Sequence, residues 1–323
     1  MGIYKYRLVI TKNQKNKLMG CKFMGIRKIK ENQTIKEENK KAFNGYNKPA
    51  ILKVAAKKAI KKGGIIENST QAHLFNGISR LEKEFNEGTL IENVNIDSNI
   101  KLGNIKSIAF PNIFIQMQFE QLIKNNKSLL KLKVVKYLKN YFKKNKVCKN
   151  CKDCFGLCYN NKSINQHANK SISDLRTLLA FIIDKEALKN KIKLESKFSN
   201  LFRINTNGEI HSREMLDFWI ELSNESQFTR FFTYTKSYQL FESYLNEVNE
   251  LPKNFFLNIS VFENREFIKR VAPTLWASCQ KFEAVKKATK KDNTVVCKGN
   301  CVTCDGYCFT KLKSDTTIEV TIH

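Results

Sequence analysis

The sequence predicts an α/β protein built on a parallel βαβαβ unit, and three observations carry that reading. From Leu201 onward, short apolar strands alternate with amphipathic helices. Eight of the ten cysteines fall into two tight runs on either side of that unit. The charge divides the 323-residue chain: residues 1–100 hold 20 basic and 9 acidic groups, residues 101–200 hold 21 and 6, and residues 201–323 hold 16 and 15. Differences of +11, +15 and +1 sum to the net +27 and set a basic first part against a neutral last part. Lys and Asn in excess are also what AT-rich coding writes at neutral surface positions, but uniform drift would not spare the last third.

Each element has a local signature. Residues 4–11 alternate weakly, as an edge strand does, and residues 49–62 read as a basic amphipathic helix stopped by Gly63-Gly64. Residues 74–85 read as a helix, and residues 105–119 are apolar and β-prone, broken at Pro111. A lysine-rich helix is expected over 127–144, its apolar face supplied by Leu129, Leu130, Leu132, Val135, Leu138, Tyr141 and Phe142. A further helix is expected over 171–193. Residues 201–204 read as a strand that enters the polar corner 205–211. Ser212 is placed to cap a helix carrying Met215, Leu216, Trp219, Ile220 and Leu222. Residues 228–234 form the next strand, a helix follows through Leu240, Phe241, Tyr244, Leu245 and Val248, and 255–262 form the third strand. Residues 264–293 read as mainly helical. On this organisation, 1–103 is a basic N-terminal extension and 104–323 a Cys-clustered α/β domain.

The cysteine runs carry the strongest chemical signal. One is Cys148-x2-Cys151-x2-Cys154-x3-Cys158, and the other is Cys297-x3-Cys301-x2-Cys304-x3-Cys308. Both end in C-x-x-C-x-G-x-C followed by an aromatic residue, Tyr159 or Phe309. Four thiolates this close wrap one metal centre, and the Gly before the last Cys permits a turn with positive φ. The spacing of the first run is that of bacterial 4Fe–4S ferredoxins, with Tyr159 in place of the usual Pro. Zinc sites more often show two C-x2-C pairs a dozen or more residues apart. Two 4Fe–4S clusters are therefore expected, with two Zn2+ as the alternative, and the runs either act singly or share clusters. Cys279 reads as a packed thiol, and Cys21 takes no role.

The chain shows neither a long apolar span nor a signal-peptide core, so a cytoplasmic protein without membrane contact is expected. Between Gln121 and Lys152 there are 11 Lys and no acidic residue. Lys127, Lys131, Lys136, Lys139, Lys143 and Lys144 are the expected nucleic-acid contacts, and the alternative is a solvated helix face. No Walker A loop or dinucleotide fingerprint is present. In parallel α/β folds, functional groups gather at the carboxyl ends of strands. Glu209, His211 and Lys236 are the titratable groups there and the catalytic candidates. Their alternative readings are solvated loop charges and a surface histidine at a helix start.

Several segments resemble the gene product 88 family of phage and plasmid proteins. They are Phe202-Arg203-Ile204-Asn205, the corner Asn207-Gly208-Glu209, Tyr234-Thr235-Lys236-Ser237, Leu251-Pro252-Lys253-Asn254, the Cys158-Tyr159 pair and the cysteine-rich tail ending at His323. The resemblance covers roughly 104–323. It implies a cysteine-clustered protein of mobile elements whose fold looks like a partial (β/α) barrel of the radical-SAM kind. It supplies no reaction or small-molecule substrate. Where this chain has Asn207-Gly208-Glu209, family members typically have Ser-Gly-Asp. Radical-SAM chemistry needs an iron left open by three Cys ligands, whereas both runs here carry four. Cys297, Cys301 and Cys304 do have the three-Cys spacing, but they follow the βα units and Cys308 comes after them. A non-radical iron–sulfur role is expected, or a zinc-stabilised nucleic-acid-binding module without catalysis.

Overall fold

The computed structural model describes residues 58–97, 102–147, 169–197, 199–261, 264–285, 287–288, 292–301, 303–304, 306–310 and 315–321. The strand expected at 4–11, most of the helix expected at 49–62, Cys21 and the whole first cysteine run lie outside the described residues.

In chain order the helices and strands are α1 (Ser69–Asn86), β1 (Lys106–Ser107), α2 (Ile113–Asn125), α3 (Lys133–Lys144), α4 (Lys170–Ile183), α5 (Lys185–Ser196), β2 (Leu201–Arg203), α6 (Arg213–Glu225), β3 (Arg230–Thr235), α7 (Tyr238–Val248), β4 (Phe255–Val261), α8 (Arg265–Val271), α9 (Pro273–Ser278), β5 (Gln280–Val285), β6 (Thr294–Cys297) and β7 (Thr317–Thr321). The chain clusters into two compact units. In the first, the described residues are 58–82, 114–136 and 169–172. Asn126 acts as a clamp there: its Oδ1 accepts from the Ile65 N–H and its Nδ2 donates to the Ile65 carbonyl, both at 2.7 Å. Asn68 Nδ2 and Gln71 Nε2 both donate to the side-chain oxygen Oε1 of Gln118.

The second unit holds the sheet. It has seven strands in the order β1-β2-β3-β4-β5-β7-β6, and every neighbouring pair is parallel. The expected βαβαβ unit is β2-α6-β3-α7-β4. Ser212 caps α6 as expected, its Oγ accepting from the Met215 N–H. From β1 to β5 the spatial order follows the chain order, so the sheet is wound in one direction. Crossovers of one hand, right-handed as the rule for parallel strands, would put the helices that join such neighbours on one face. Alternation along the strands confirms the two faces. Phe202 and Phe231 meet Trp219 of α6, while the next residue, Phe232, meets Phe309 of the second cysteine run with ring centroids 5.2 Å apart.

The structure corrects four local expectations. Only Lys106–Ser107 of the 105–119 segment is strand; after Pro111 the chain turns into α2, which buries Ile115, Phe119 and Leu122 at helical spacing. The helix expected at 127–144 is a 3-10 turn (Lys127–Lys131), a break at Leu132 with ψ 137°, and then α3. The Glu82 carboxylate accepts from the Lys133 and Val134 N–H groups, both at 3.0 Å, and so starts the new helix. The helix expected at 171–193 divides at Asp184, whose carboxylate caps α5 through the Ala187 N–H. Residues 264–293 are only partly helical. β5 runs there with polar Gln280, Lys281 and Glu283, which are tolerated because β4 and β7 satisfy its backbone on both sides.

Candidate functional site

The second cysteine run is the connection from β6 to β7, and it occupies the sheet face opposite the helices. Cys297 ends β6, at the carboxyl end of its strand. Gly299 has φ +71° and its N–H donates to Cys297 Sγ at 3.4 Å. Gly306 has φ +77° and its N–H donates to Cys304 Sγ at 3.3 Å. Each glycine adopts a backbone that other residues avoid, and that backbone turns an amide onto the sulfur two positions back. A 3-10 turn, Tyr307–Phe309, then buries Cys308 at 6% exposure beside Phe232, Ile318, Leu102 and Ile105.

Strand side chains hold this loop. Asn258 Nδ2 donates to the carbonyls of Cys308 (2.9 Å) and Thr233 (3.1 Å). Gln280 Nε2 donates to the Tyr307 carbonyl and to Asn258 Oδ1, both at 2.7 Å. Tyr234 packs against the buried cluster that contains Cys308, and its ring lies edge-on to Phe282 at 4.6 Å. The Arg203 guanidinium lies over the Tyr234 ring, 5.2 Å from its centroid. Burial pushes the Cys308 thiol up to about 12 and also raises Cys297 and Cys301; neighbouring thiols add to the rise, and Arg203 opposes it.

All four cysteines of this run are free thiols, Cys308 buried and the other three partly so. Among the described residues, no three His, Cys, Asp or Glu side chains stand at metal-ligand separation. The donor set nevertheless fits a tetrathiolate centre. Four soft donors lie within 12 residues, and amides point at two of the sulfurs. Cys148, Cys151, Cys154 and Cys158 lie outside the described residues.

The corner after β2 forms a second cluster, and it is buried rather than solvated. Glu209 is 7% exposed and His211 is 1% exposed, so neither is the loop charge or surface histidine of the alternative reading. The Glu209 carboxylate accepts from Thr235 Oγ1 (2.8 Å) and the Lys236 N–H (3.1 Å), and Thr235 Oγ1 in turn accepts from the Ser237 N–H (2.9 Å) just before α7. The Lys236 side chain is half-buried. His211 Nδ1 lies 2.8 Å from the Glu209 carbonyl, which can only accept, so Nδ1 carries the proton. Nε2 then accepts from the Tyr141 hydroxyl of α3 at 2.9 Å. Gly208, with φ +77°, brings the corner against the Phe110 and Pro111 carbonyls. The three catalytic candidates therefore do come together, as a staple joining the β2 corner, α3 and the start of α7.

Burial raises the Glu209 carboxyl from 4.5 to about 7, against the lowering pull of Lys236 and Thr235. A carboxyl raised in this way binds its proton more tightly folded than unfolded. Its contribution to stability is full below about pH 4.5 and is lost as pH rises through about 7. The shift is worth roughly 3 kcal/mol. Denaturant midpoints of the wild type are expected to fall between pH 5 and pH 8, and Glu209→Gln should flatten that fall. Equal slopes for the two proteins would disprove the assignment.

The expected nucleic-acid lysines, Lys127, Lys131, Lys136, Lys139, Lys143 and Lys144, are all exposed. Residues 116–292, more than half of the chain, match the gene product 88 family. The chain belongs to the gene product 88 family. That match is narrower than the resemblance seen in the sequence. It spans the first cysteine run and β2 to β5, and the second run lies beyond it. No match is found among curated proteins or solved structures. Among the described residues, no helix is long and apolar enough to cross a membrane.

The sequence reading missed Arg203, Tyr234, Asn258 and Gln280 as parts of the thiol site. Asn258, fully buried, interrupts an apolar strand on the face away from the helices, and a polar residue in such a strand is the signal that could have found it; Arg203 ends β2 on the same face.

Proposed function

We propose that this member of the gene product 88 family is an iron–sulfur protein in which the Cys297–Cys308 loop holds one cluster against the open face of the sheet. The observation that carries the reading is the loop's construction: four thiols, two amide-to-sulfur bonds, and the Asn258–Gln280 clamp on its backbone. Metal binding would draw the four sulfurs inward around one centre. Amides aimed at sulfur stabilise the charge on a thiolate and tune the potential of a cluster. The first run, with the same ending, would hold a second centre of the same kind. A cluster with four Cys ligands is saturated, which favours electron transfer or structure over chemistry on an open iron. The one-directional strand order is compatible with the partial (β/α) barrel that the resemblance implies.

Anaerobically purified protein is expected to be brown, with broad visible absorption that bleaches on reduction. Colourless protein with stoichiometric zinc would replace the iron–sulfur reading with the zinc one. A nucleic-acid role has its own support. Lys139, Lys143 and Lys144 on α3 are exposed, and among the described residues none of them forms an ion pair. Binding through these lysines would weaken steeply with salt.

A further inference from the structure

We infer that the turn at 226–229, at the amino ends of β2, β3 and β4, is a platform for single-stranded nucleic acid, with Phe228 stacking on a base and Lys197, Arg230 and Lys253 meeting phosphates. The inference extends the nucleic-acid role proposed above to a second surface, built from elements other than α3.

Phe228 is 96% exposed, and the next most exposed large apolar residue among the described residues is Leu194 at 57%. A ring left in water gives the fold none of the stabilisation that burying it would. Yet the turn that displays it is firmly built. The Thr229 N–H donates to the Ser226 carbonyl at 2.9 Å, which puts Gln227 and Phe228 at the tip. Asn254, just before β4, holds the base of the turn. Its Nδ2 donates to the carbonyls of Ser223 (2.9 Å), Thr229 (2.9 Å) and Ser226 (3.1 Å), and its Oδ1 accepts from Ser223 Oγ (2.8 Å). The Arg230 N–H donates to the Asn200 carbonyl, and the Phe231 N–H to that of Asn254. Three loops, 197–200, 226–230 and 249–254, therefore meet around the turn. An aromatic ring fixed on such a support loses little freedom when it binds.

The charge of these loops complements a polyanion. They carry Lys197, Arg230 and Lys253 against one acid, Glu250. All three cations are exposed, and among the described residues none of them forms an ion pair. The acids of the flanking helices are already engaged, Glu225 by Lys189 and Lys193 and Glu195 by Lys106. The Arg230 guanidinium lies over the Phe309 ring, 5.8 Å from its centroid. That contact uses the flat face of the group and leaves its N–H edge for a phosphate. Proteins that hold single strands combine the same two parts, cations along the backbone and a ring under the bases. A duplex keeps its base faces stacked inside the helix, so an exposed ring selects an unpaired strand.

The test is fluorescence anisotropy of the full-length protein with labelled oligothymidylate and oligouridylate of about 16 nucleotides, and with a duplex of equal length. Single strands are expected to bind more tightly than the duplex. F228A should weaken the single strands about 5–100-fold and leave the duplex unchanged; F228W should keep wild-type affinity and F228L should be as weak as F228A. K197Q and K253Q should each lower the slope of log affinity against log salt by about 0.7. All three residues are exposed, so these variants keep the melting temperature of the wild type. Wild-type affinity in F228A overturns the inference, and so does a duplex that binds as tightly as the single strands. Wild-type affinity in F228L would make Phe228 a merely apolar contact, as for a protein partner, and also overturns it. Binding that is lost in K139Q/K143Q/K144Q but unchanged in F228A leaves the α3 reading standing and removes this one. If the wild type binds neither strand nor duplex, both fall.

Discussion

Cys308→Ser is expected to strip the C-terminal loop of its metal. Cys308 is the most buried thiol of the run. Its carbonyl is fixed by Asn258, and it lies in the 3-10 turn that docks the loop on β3 and β4. It is the ligand with least freedom to be replaced by a neighbour. A serine hydroxyl is hard, neutral at ordinary pH and a poor ligand for iron or zinc. Outer-shell partners alone are worth about 10–100-fold in metal affinity, so losing a ligand should cost more than about a hundredfold. Metal per chain should drop by one centre, and chelator should no longer lower the melting temperature through this site. Unchanged metal content in Cys308→Ser would remove Cys308 from the ligand set.

Gly208→Ala is expected to give the largest loss of stability from a single methyl group. Two penalties coincide at this position. The backbone stands at φ +77°, where an L-residue costs about 1–2 kcal/mol. An added Cβ would also lie 2.7 Å from the Phe110 carbonyl oxygen and 2.9 Å from that of Pro111. Both are backbone atoms, so no side chain can swing away and the corner itself must move. The combined cost should reach roughly 3–5 kcal/mol. Gly88→Ala is the internal control. Its φ is +73°, but nothing lies within 4 Å of the added methyl, so only the backbone term applies, about 1–2 kcal/mol. Chemical denaturation of the two variants should separate them clearly, and equal losses would show that the Gly208 contact does not constrain the fold.

The reason the corner is so tight is its cargo. Gly208 precedes Glu209, whose carboxylate must reach two donors, Thr235 Oγ1 and the Lys236 N–H, just before α7. His211, two residues on, turns back onto the Glu209 carbonyl. An Asn-Gly-Glu corner thus carries both the close approach and the buried acid, and the sequence showed the residues without showing their burial. Burial depends on α3, which is distant in sequence and delivers Tyr141 to His211.

The same limit explains what else was legible. Strands β2, β3 and β4 and helices α6 and α7 could be read from periodicity, because each helix buries an apolar stripe on the sheet. β5 could not, since Lys281 and Glu283 break its alternation and only pairing with β4 and β7 makes it a strand. The split at Asp184 was written as a capping residue, yet the apolar pattern ran on through it and masked the break. The four thiols of the second run were legible from spacing alone. Their surround of Arg203, Tyr234, Asn258 and Gln280 was not, because it comes from four strands and exists only once the sheet is assembled.

The central claim is that the cysteine runs hold metal, and metal per polypeptide in anaerobically purified intact protein tests it most directly. The account predicts about eight iron with matching sulfide, four to each run. Protein with no stoichiometric metal, in which all ten cysteines titrate as free thiols after unfolding, would contradict it.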